Sequence, residues 1–143
     1  MKLNDIQLSS VLIVEDDSSI REALELTFEM LGIQVSWAVS GEDALEKVHP
    51  GLSLMIVDGR LPDLHGLELV RRVRPQLPES TLYYLFSAEA GLNPDELRAC
   101  GIQGLIRKPF DTERLIELAA SHSRPMGDAL VNGSDSLLAS FVP

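Results

Sequence analysis

Short apolar runs alternate with segments of helical periodicity along this chain of 143 residues. Strands inside a parallel sheet are covered on both faces, so they read as nearly continuous apolar runs. Because each run here is followed by a helical pattern, the order predicts an α/β fold, a doubly wound parallel sheet with helices on both faces. The five predicted strands are residues 11–14, 34–39, 52–57, 81–86 and 102–106.

Local signals mark where the intervening helices begin and end. Ser40 with Asp43 is similar to a capping box, and Asn93 precedes a proline and two acids, which favours a helix start. Gly32 ends the first helix and Pro75 the third. The helices are predicted at residues 20–31, 40–48, 66–74, 93–101 and 111–122. We therefore expect one domain over residues 1–123 and a mobile or linker-like tail over residues 124–143.

Composition excludes several classes of protein. The chain has 22 acidic and 12 basic residues and a net charge of −10, whereas binding to nucleic acid requires clustered lysine and arginine. Its single cysteine, Cys100, excludes an internal disulfide and a cysteine-based zinc site. The longest apolar runs are as short as strands, and no signal peptide is visible. We expect a cytoplasmic protein that binds neither nucleic acid directly nor a membrane.

Polar and charged side chains follow four of the predicted strands. The acidic residues 15–17 follow the first strand, Asp58 the third, Ser87 the fourth and Lys108 the fifth. In parallel sheets, ligands bind beyond the carboxyl ends of the strands. The sequence therefore predicts that these side chains converge on one pocket.

The residue types in this pocket are those that phosphoryl transfer to a carboxylate requires. Clustered carboxylates repel one another unless a cation holds them ionised, and Mg²⁺, or Mn²⁺ in its place, prefers such hard oxygen ligands. Asp16 and Asp58 are suitable direct ligands, and Glu15 would bind the metal or its water. Lys108 would neutralise a phosphoryl group, and Ser87 would donate a hydrogen bond to it.

Four sequence segments, each at the end of a predicted strand, resemble the receiver domain of bacterial two-component response regulators. The resemblance covers about residues 9–122 and implies a flavodoxin-like (βα)5 fold with a five-stranded parallel sheet in the order 2-1-3-4-5. The segments are Val-Leu-Ile-Val-Glu-Asp-Asp (11–17), Ile-Val-Asp-Gly-Arg-Leu-Pro-Asp-Leu-His-Gly (56–66), Leu-Phe-Ser-Ala (85–88) and Ile-Arg-Lys-Pro-Phe (106–110).

The resemblance implies a stand-alone phosphorylation switch that is not an enzyme beyond its own loading and hydrolysis. Asp58 would accept a phosphoryl group from a histidine kinase or a phosphotransfer protein. Phosphorylation would then change the affinity for a downstream protein partner. Glu15, Asp16, Asp58 and the backbone carbonyl of Arg60 would form the Mg²⁺ site. The sequence does not name the kinase, the partner or the oligomeric state.

The resemblance also assigns the residues that respond to phosphorylation. Ser87 would swing to the phosphoryl group, Lys108 would pair with Asp58 or its phosphate, and the peptide bond before Pro109 would be cis. The family usually has a tyrosine or phenylalanine three residues before the lysine, where this chain has Leu105. This departure weakens the usual coupling between the phosphorylation site and the outer face of the domain.

Arg60 and Glu89 lie two residues after Asp58 and Ser87 respectively. In receiver-like geometry, their side chains would project over the mouth of the pocket from adjacent loops. They carry opposite charges and are long enough to meet. We expect an Arg60–Glu89 pair at the pocket entrance that shields the phosphoryl group from water, although two independent solvated side chains are an equal alternative.

Other functions remain open. A small Mg²⁺ phosphatase would place a second aspartate where this chain has Arg60. A pseudo-receiver would bind a partner without phosphorylation, for which Leu105 is the one favourable observation. The chain could also be the receiver fragment of a larger regulator, because the tail resembles a linker. Outside the pocket, Trp37, Tyr83 and Tyr84 are expected to pack on the sheet, with a partner surface as the alternative. The arginines at positions 71, 72 and 74 are expected to form a solvated helix face, with a docking role as the alternative.

Overall fold

The computed structural model describes residues 9–108. Within that range, five parallel strands form one sheet in the order β2-β1-β3-β4-β5, as predicted. The predicted helix at 111–122, the predicted domain boundary after residue 123 and the bond before Pro109 lie outside the described residues. The elements are β1 Ser10–Val14, α1 Ser18–Met30, β2 Gln34–Ala38, α2 Gly41–Lys47, β3 Leu54–Asp58, α3 Gly66–Val73, β4 Leu82–Ser87, α4 Pro94–Ala99 and β5 Gly104–Arg107.

Two apolar clusters cover the two faces of the sheet. On one face, Leu24 and Phe28 of α1 pack against alternate strand residues such as Ile13 and Ile56. On the other face, buried residues of α2, α3 and α4 pack against the intervening strand residues, among them Val57. Each fully buried aliphatic or aromatic side chain contributes about 1.5–3 kcal/mol, so these clusters hold the strand ends in fixed positions.

Several element boundaries differ from those predicted. β5 begins at Gly104 rather than at residue 102, because the Ile102 amide donates to the carbonyl of Leu97 and completes the end of α4. Gly101 makes this turn possible with φ of 94°. α3 ends at Val73, and a 3₁₀ turn, Arg74–Gln76, continues the chain through Pro75.

The aromatic residues of the sheet behave differently from one another. Tyr83 and Tyr84 are buried on opposite faces of β4, as expected. The prediction for Trp37 was wrong, because this residue lies on the edge strand β2 and is 40% exposed. Two cations contact its ring, with the Arg21 guanidinium 4.4 Å and the Lys47 ammonium 4.9 Å from the ring centroid. No helix within residues 9–108 is both long enough and apolar enough to cross a membrane.

Candidate functional site

The site lies at the carboxyl edge of the sheet, where adjacent strands end. Asp58 is the last residue of β3 and Ser87 the last of β4, while Glu15 follows β1 and Lys108 follows β5. Because β1, β3, β4 and β5 are neighbours in the sheet, the four side chains meet. Glu15, Asp58 and Ser87 are nearly fully buried, at 2%, 6% and 2% exposure. The structure thus brings together the residues that the sequence placed at separate strand ends.

A glycine allows α3 to begin against the end of β3. A Cβ atom on Gly66 would overlap the backbone carbonyl of Asp58. The Gly66 amide also donates to the carbonyl of Gly59 at 2.9 Å, which closes the loop between β3 and α3. This close approach holds the Asp58 backbone in place and leaves its carboxylate facing the pocket.

Lys108 is the positive charge of the site. Its Nζ lies 3.3 Å from Glu15 Oε2 and 3.2 Å from Asp58 Oδ1, and 5.0 Å from the centroid of the Phe86 ring. One ammonium therefore faces two buried carboxylates. The backbone amide of Arg60 adds a hydrogen bond to Asp58 Oδ1 at 3.2 Å.

The acidic residues fit a hard divalent cation. Carboxylate oxygens of Glu15, Asp16 and Asp58 lie within 4.8 Å of one another, and Asp16 is exposed. Burial, and secondarily the charge of Asp58, raises the pKa of Glu15 from 4.5 to about 7, although Lys108 acts in the opposite direction. Among residues 9–108, these three carboxylates outnumber the Lys108 ammonium that pairs with two of them, as expected of an Mg²⁺ site. The metal-binding role of the Arg60 carbonyl stays a prediction.

A cavity of about 250 Å³ opens beside Asp58 and Lys108, and Arg60, Ser87, Ala88 and Glu89 complete its lining. Ser87 Oγ accepts a hydrogen bond from the Glu89 amide at 2.9 Å. Arg107 Nη1 donates to the Glu89 carbonyl at 2.6 Å, which further holds this loop. The hydroxyl of Ser87 and the backbone of Glu89 therefore keep fixed positions beside the Asp58 carboxylate.

The pair expected between Arg60 and Glu89 is present at the mouth of the cavity, but the distance between the two groups is long for an ion pair. The Arg60 Nε atom lies 3.8 Å from Glu89 Oε1, and the Arg60 side chain is 79% exposed. A closer partner is His65, whose Nε2 lies 2.8 Å from the same oxygen. Because His65 Nδ1 accepts from the Leu67 amide at 3.1 Å, Nε2 carries the proton and donates it to Glu89.

Sequence reasoning gave His65 no role in the site. The available signal was its position immediately before the helix start at Gly66, where an N-cap residue belongs. In that position, His65 Nδ1 accepts a hydrogen bond from the backbone of α3, and Nε2 is directed toward Glu89.

Comparison with known proteins identifies the family. The family model for the response regulator receiver domain matches residues 11–120. The chain belongs to the response regulator receiver domain family. The transcriptional regulatory protein DltR of Streptococcus agalactiae is 32% identical over 107 residues, covering 74% of this chain and 48% of that protein. The uncharacterized transcriptional regulatory protein YkoG of Bacillus subtilis is 34% identical over 109 residues, with 74% and 47% covered. This receiver thus spans about half the length of these curated relatives.

Solved structures give the same fold. A CheY-like response regulator receiver domain protein from Methanospirillum hungatei superposes with a TM-score of 0.75 at 25% identity, covering 86% of this chain and 99% of that one. The chemotaxis response regulator CheY4 of Vibrio cholerae gives a TM-score of 0.69 at 28% identity, with 81% and 99% covered.

In this receiver, Leu105 occupies the interior of the domain. It is 1% exposed on β5, pairs in register with Leu85 of β4, and belongs to the cluster that packs under α3 and α4. A leucine in this position already lies inside the core, whereas the family's aromatic ring turns inward on activation.

Proposed function

We propose that this receiver is a phosphorylation-dependent signalling switch. Asp58 would accept a phosphoryl group from a histidine kinase or a phosphotransfer protein in the cytoplasm, and the modified receiver would bind a downstream protein partner with altered affinity. The observation that supports this role is the meeting of Asp58 with Glu15, Asp16 and Lys108 at the carboxyl edge of the sheet. No catalytic activity toward other substrates is proposed.

In the proposed reaction, an oxygen of Asp58 attacks the phosphorus of the donor. A new O–P bond forms while the P–N bond to the donor imidazole breaks, and the imidazole leaves with its electron pair and takes up a proton. When bound by Glu15, Asp16, Asp58 and the Arg60 carbonyl, Mg²⁺ or Mn²⁺ would neutralise charge on the phosphoryl oxygens. Lys108 lies 3.2 Å from Asp58, where its charge favours the same oxygens.

Ser87 is the proposed link between the phosphoryl group and the rest of the domain. Ser87 lines the cavity beside Asp58, and its hydroxyl oxygen accepts a hydrogen bond from the Glu89 amide. If this hydroxyl donated a hydrogen bond to a phosphoryl oxygen, the loop that carries Glu89 would move. That loop leads from β4 into α4, so Ser87 and its neighbours would report phosphorylation, with the change fading toward the outer surface of α4 and β5.

Glu89 and Arg60 are proposed to limit access of water to the phosphoryl group. Hydrolysis requires a water molecule in line with the O–P bond. His65 holds Glu89 at the cavity through a contact of 2.8 Å, and Arg60 lies 3.8 Å from the same carboxylate oxygen. An exposed pair of this kind adds only about 0–1 kcal/mol to stability, so its expected effect is on the rate of hydrolysis.

The test is labelling with a small phosphodonor, phosphoramidate, in the presence of Mg²⁺. The wild-type chain should gain one phosphoryl group, detected by intact mass and lost on treatment with hydroxylamine, and Asp58→Asn should gain none. Asp17→Asn is the matched control, because asparagine keeps the cap on α1 that Asp17 Oδ1 provides to the amides of Ser19 and Ile20. Labelling of Asp58→Asn at the wild-type level would refute the assignment.

A binding module that works without phosphorylation is the second candidate. Leu105 favours it, because a side chain already inside the core has no inward rotation to couple to Ser87. Capture of partner proteins in the presence and absence of beryllofluoride, which mimics the phosphoryl group, separates the two functions. Affinity that changes with beryllofluoride supports the switch, and affinity that does not change supports the module.

A further inference from the structure

A second cavity lies at the amino edge of the sheet, opposite the phosphorylation site. It occupies about 670 Å³ between the carboxyl ends of α3 and α4 and the beginning of β4, a size typical of sites for small organic molecules. Arg74, Tyr83 and Ala99 are among its lining residues. Among the residues that the structure describes, none lines both this cavity and the cavity beside Asp58.

A buried tyrosine whose hydroxyl lacks a partner lines this cavity. Tyr83 is 3% exposed, and its hydroxyl oxygen forms no hydrogen bond with any part of the chain that the structure describes. The residue is held firmly, because its backbone amide donates to Gln103 Oε1 at 2.7 Å. Buried hydroxyl groups normally have a partner, so an unpaired one lining a cavity indicates that an acceptor binds there.

An arginine that pairs with no described carboxylate lines the same cavity. Among residues 9–108, no acidic side chain forms an ion pair with Arg74, whereas Arg71 of α3 pairs with Glu68 and Glu96. Arg74 packs over Gly101, where a Cβ atom would overlap its guanidinium, and donates weakly to the Ala99 carbonyl at 3.5 Å. Burial raises the pKa of the Tyr83 hydroxyl, and the charge of Arg74 opposes this effect.

The remaining lining combines apolar residues with charged residues of both signs. Pro75, Leu77 and Pro78 provide a nonpolar wall, and Glu79, Glu96 and the Arg71 that pairs with Glu96 also line the cavity. A ligand with one negative charge is repelled less by these carboxylates than a phosphate dianion is. The lining therefore suits a monoanion with an apolar body.

We propose that this cavity binds a small aromatic or aliphatic carboxylate. The carboxylate accepts hydrogen bonds from the Tyr83 hydroxyl and the Arg74 guanidinium, and the apolar body lies against the proline- and leucine-lined wall. The site is independent of the proposed function, because its ligand contacts neither Asp58 nor the residues around it.

The experiment is a titration of the ¹⁵N-labelled full chain with 2-naphthoate, followed by amide chemical shifts. Saturable shifts are expected around the cavity-lining residues of α3, α4 and β4. The neutral analogue 2-naphthylmethanol should bind about tenfold more weakly, because it cannot provide a charged acceptor. Absence of saturable shifts, equal affinity for the neutral analogue, or shifts centred on Asp58 would overturn the proposal.

Two variants assign the contacts. Tyr83→Phe removes only a hydroxyl that lacks a partner, so the chain should fold at least as well as the wild type and bind 2-naphthoate about tenfold more weakly. Arg74→Gln should weaken binding similarly. Arg72→Gln is the matched control, because Arg72 pairs with Glu68 at 3.3 Å and does not line the cavity. Wild-type affinity in both Tyr83→Phe and Arg74→Gln contradicts the site.

Discussion

Glu15→Gln should make the receiver more stable in the absence of a divalent cation. The wild-type carboxyl is 2% exposed, and burial together with the charge of Asp58 raises its pKa from 4.5 to about 7. Glutamine is nearly the same size and keeps the oxygen that accepts the Asp17 amide at 3.2 Å. The substitution therefore removes a buried charge without opening a cavity.

The rise in the Glu15 pKa sets the size and the sign of the effect. In the unfolded chain this carboxyl loses its proton near pH 4.5, and in the folded protein near pH 7. Between these values the folded state binds more protons, so the free energy of unfolding falls as the pH rises. At about 1.36 kcal/mol per pKa unit, the total loss is up to roughly 3 kcal/mol. Above pH 7, the free energy of unfolding of Glu15→Gln should exceed that of the wild type by up to that amount, and near pH 4.5 the two proteins should be equally stable.

Urea unfolding across this pH range, with a chelator present, measures the difference. Glu22→Gln is the control, because Glu22 is exposed on α1 and its substitution should change stability by less than about 0.5 kcal/mol. Millimolar Mg²⁺ should then stabilise the wild type above pH 7 and should stabilise Glu15→Gln less, since a ligand of the folded state adds stability by mass action. A stability difference that is independent of pH, or a Glu15→Gln variant less stable than the wild type above pH 7 without Mg²⁺, would refute the reasoning.

Two further predictions concern the phosphorylated receiver. Arg60→Ala and Glu89→Ala should each shorten the half-life of the phosphoryl group, measured by its decay at constant Mg²⁺. The effects of the two substitutions should not add in the double variant. Unchanged or slower decay in both single variants would exclude shielding. Beryllofluoride should shift the amide resonances of Ser87 and its neighbours, with the changes fading toward the outer surface of α4 and β5. Leu105→Tyr should extend those shifts to that surface, and large shifts there in the wild type would mean that leucine transmits the signal.

The class of fold and the members of the site could be predicted from local sequence. Apolar runs of strand length separated by helical periods leave few arrangements other than a parallel sheet, and parallel strands place their carboxyl ends on one edge. For this reason the positions of Asp58, Ser87 and Lys108 after their strands were enough to predict that they meet. The strand order was available only through resemblance to a family, because no local signal states which strands are neighbours.

Contacts between distant loops required the tertiary structure. Trp37 was expected to pack on the sheet, but its strand lies at the edge, where solvent and two cations cover the ring. The hydrogen bond from His65 to Glu89 depends on the angle at which α3 leaves β3, which no periodicity encodes.

The raised pKa of Glu15 and the unpaired hydroxyl of Tyr83 likewise depend on distance and burial. The sequence specifies which groups a strand end or a helix face carries, because those follow from backbone geometry that repeats every few residues. Electrostatic energies and unfilled hydrogen bonds depend on atoms from other elements, and only the folded arrangement of those elements determines them.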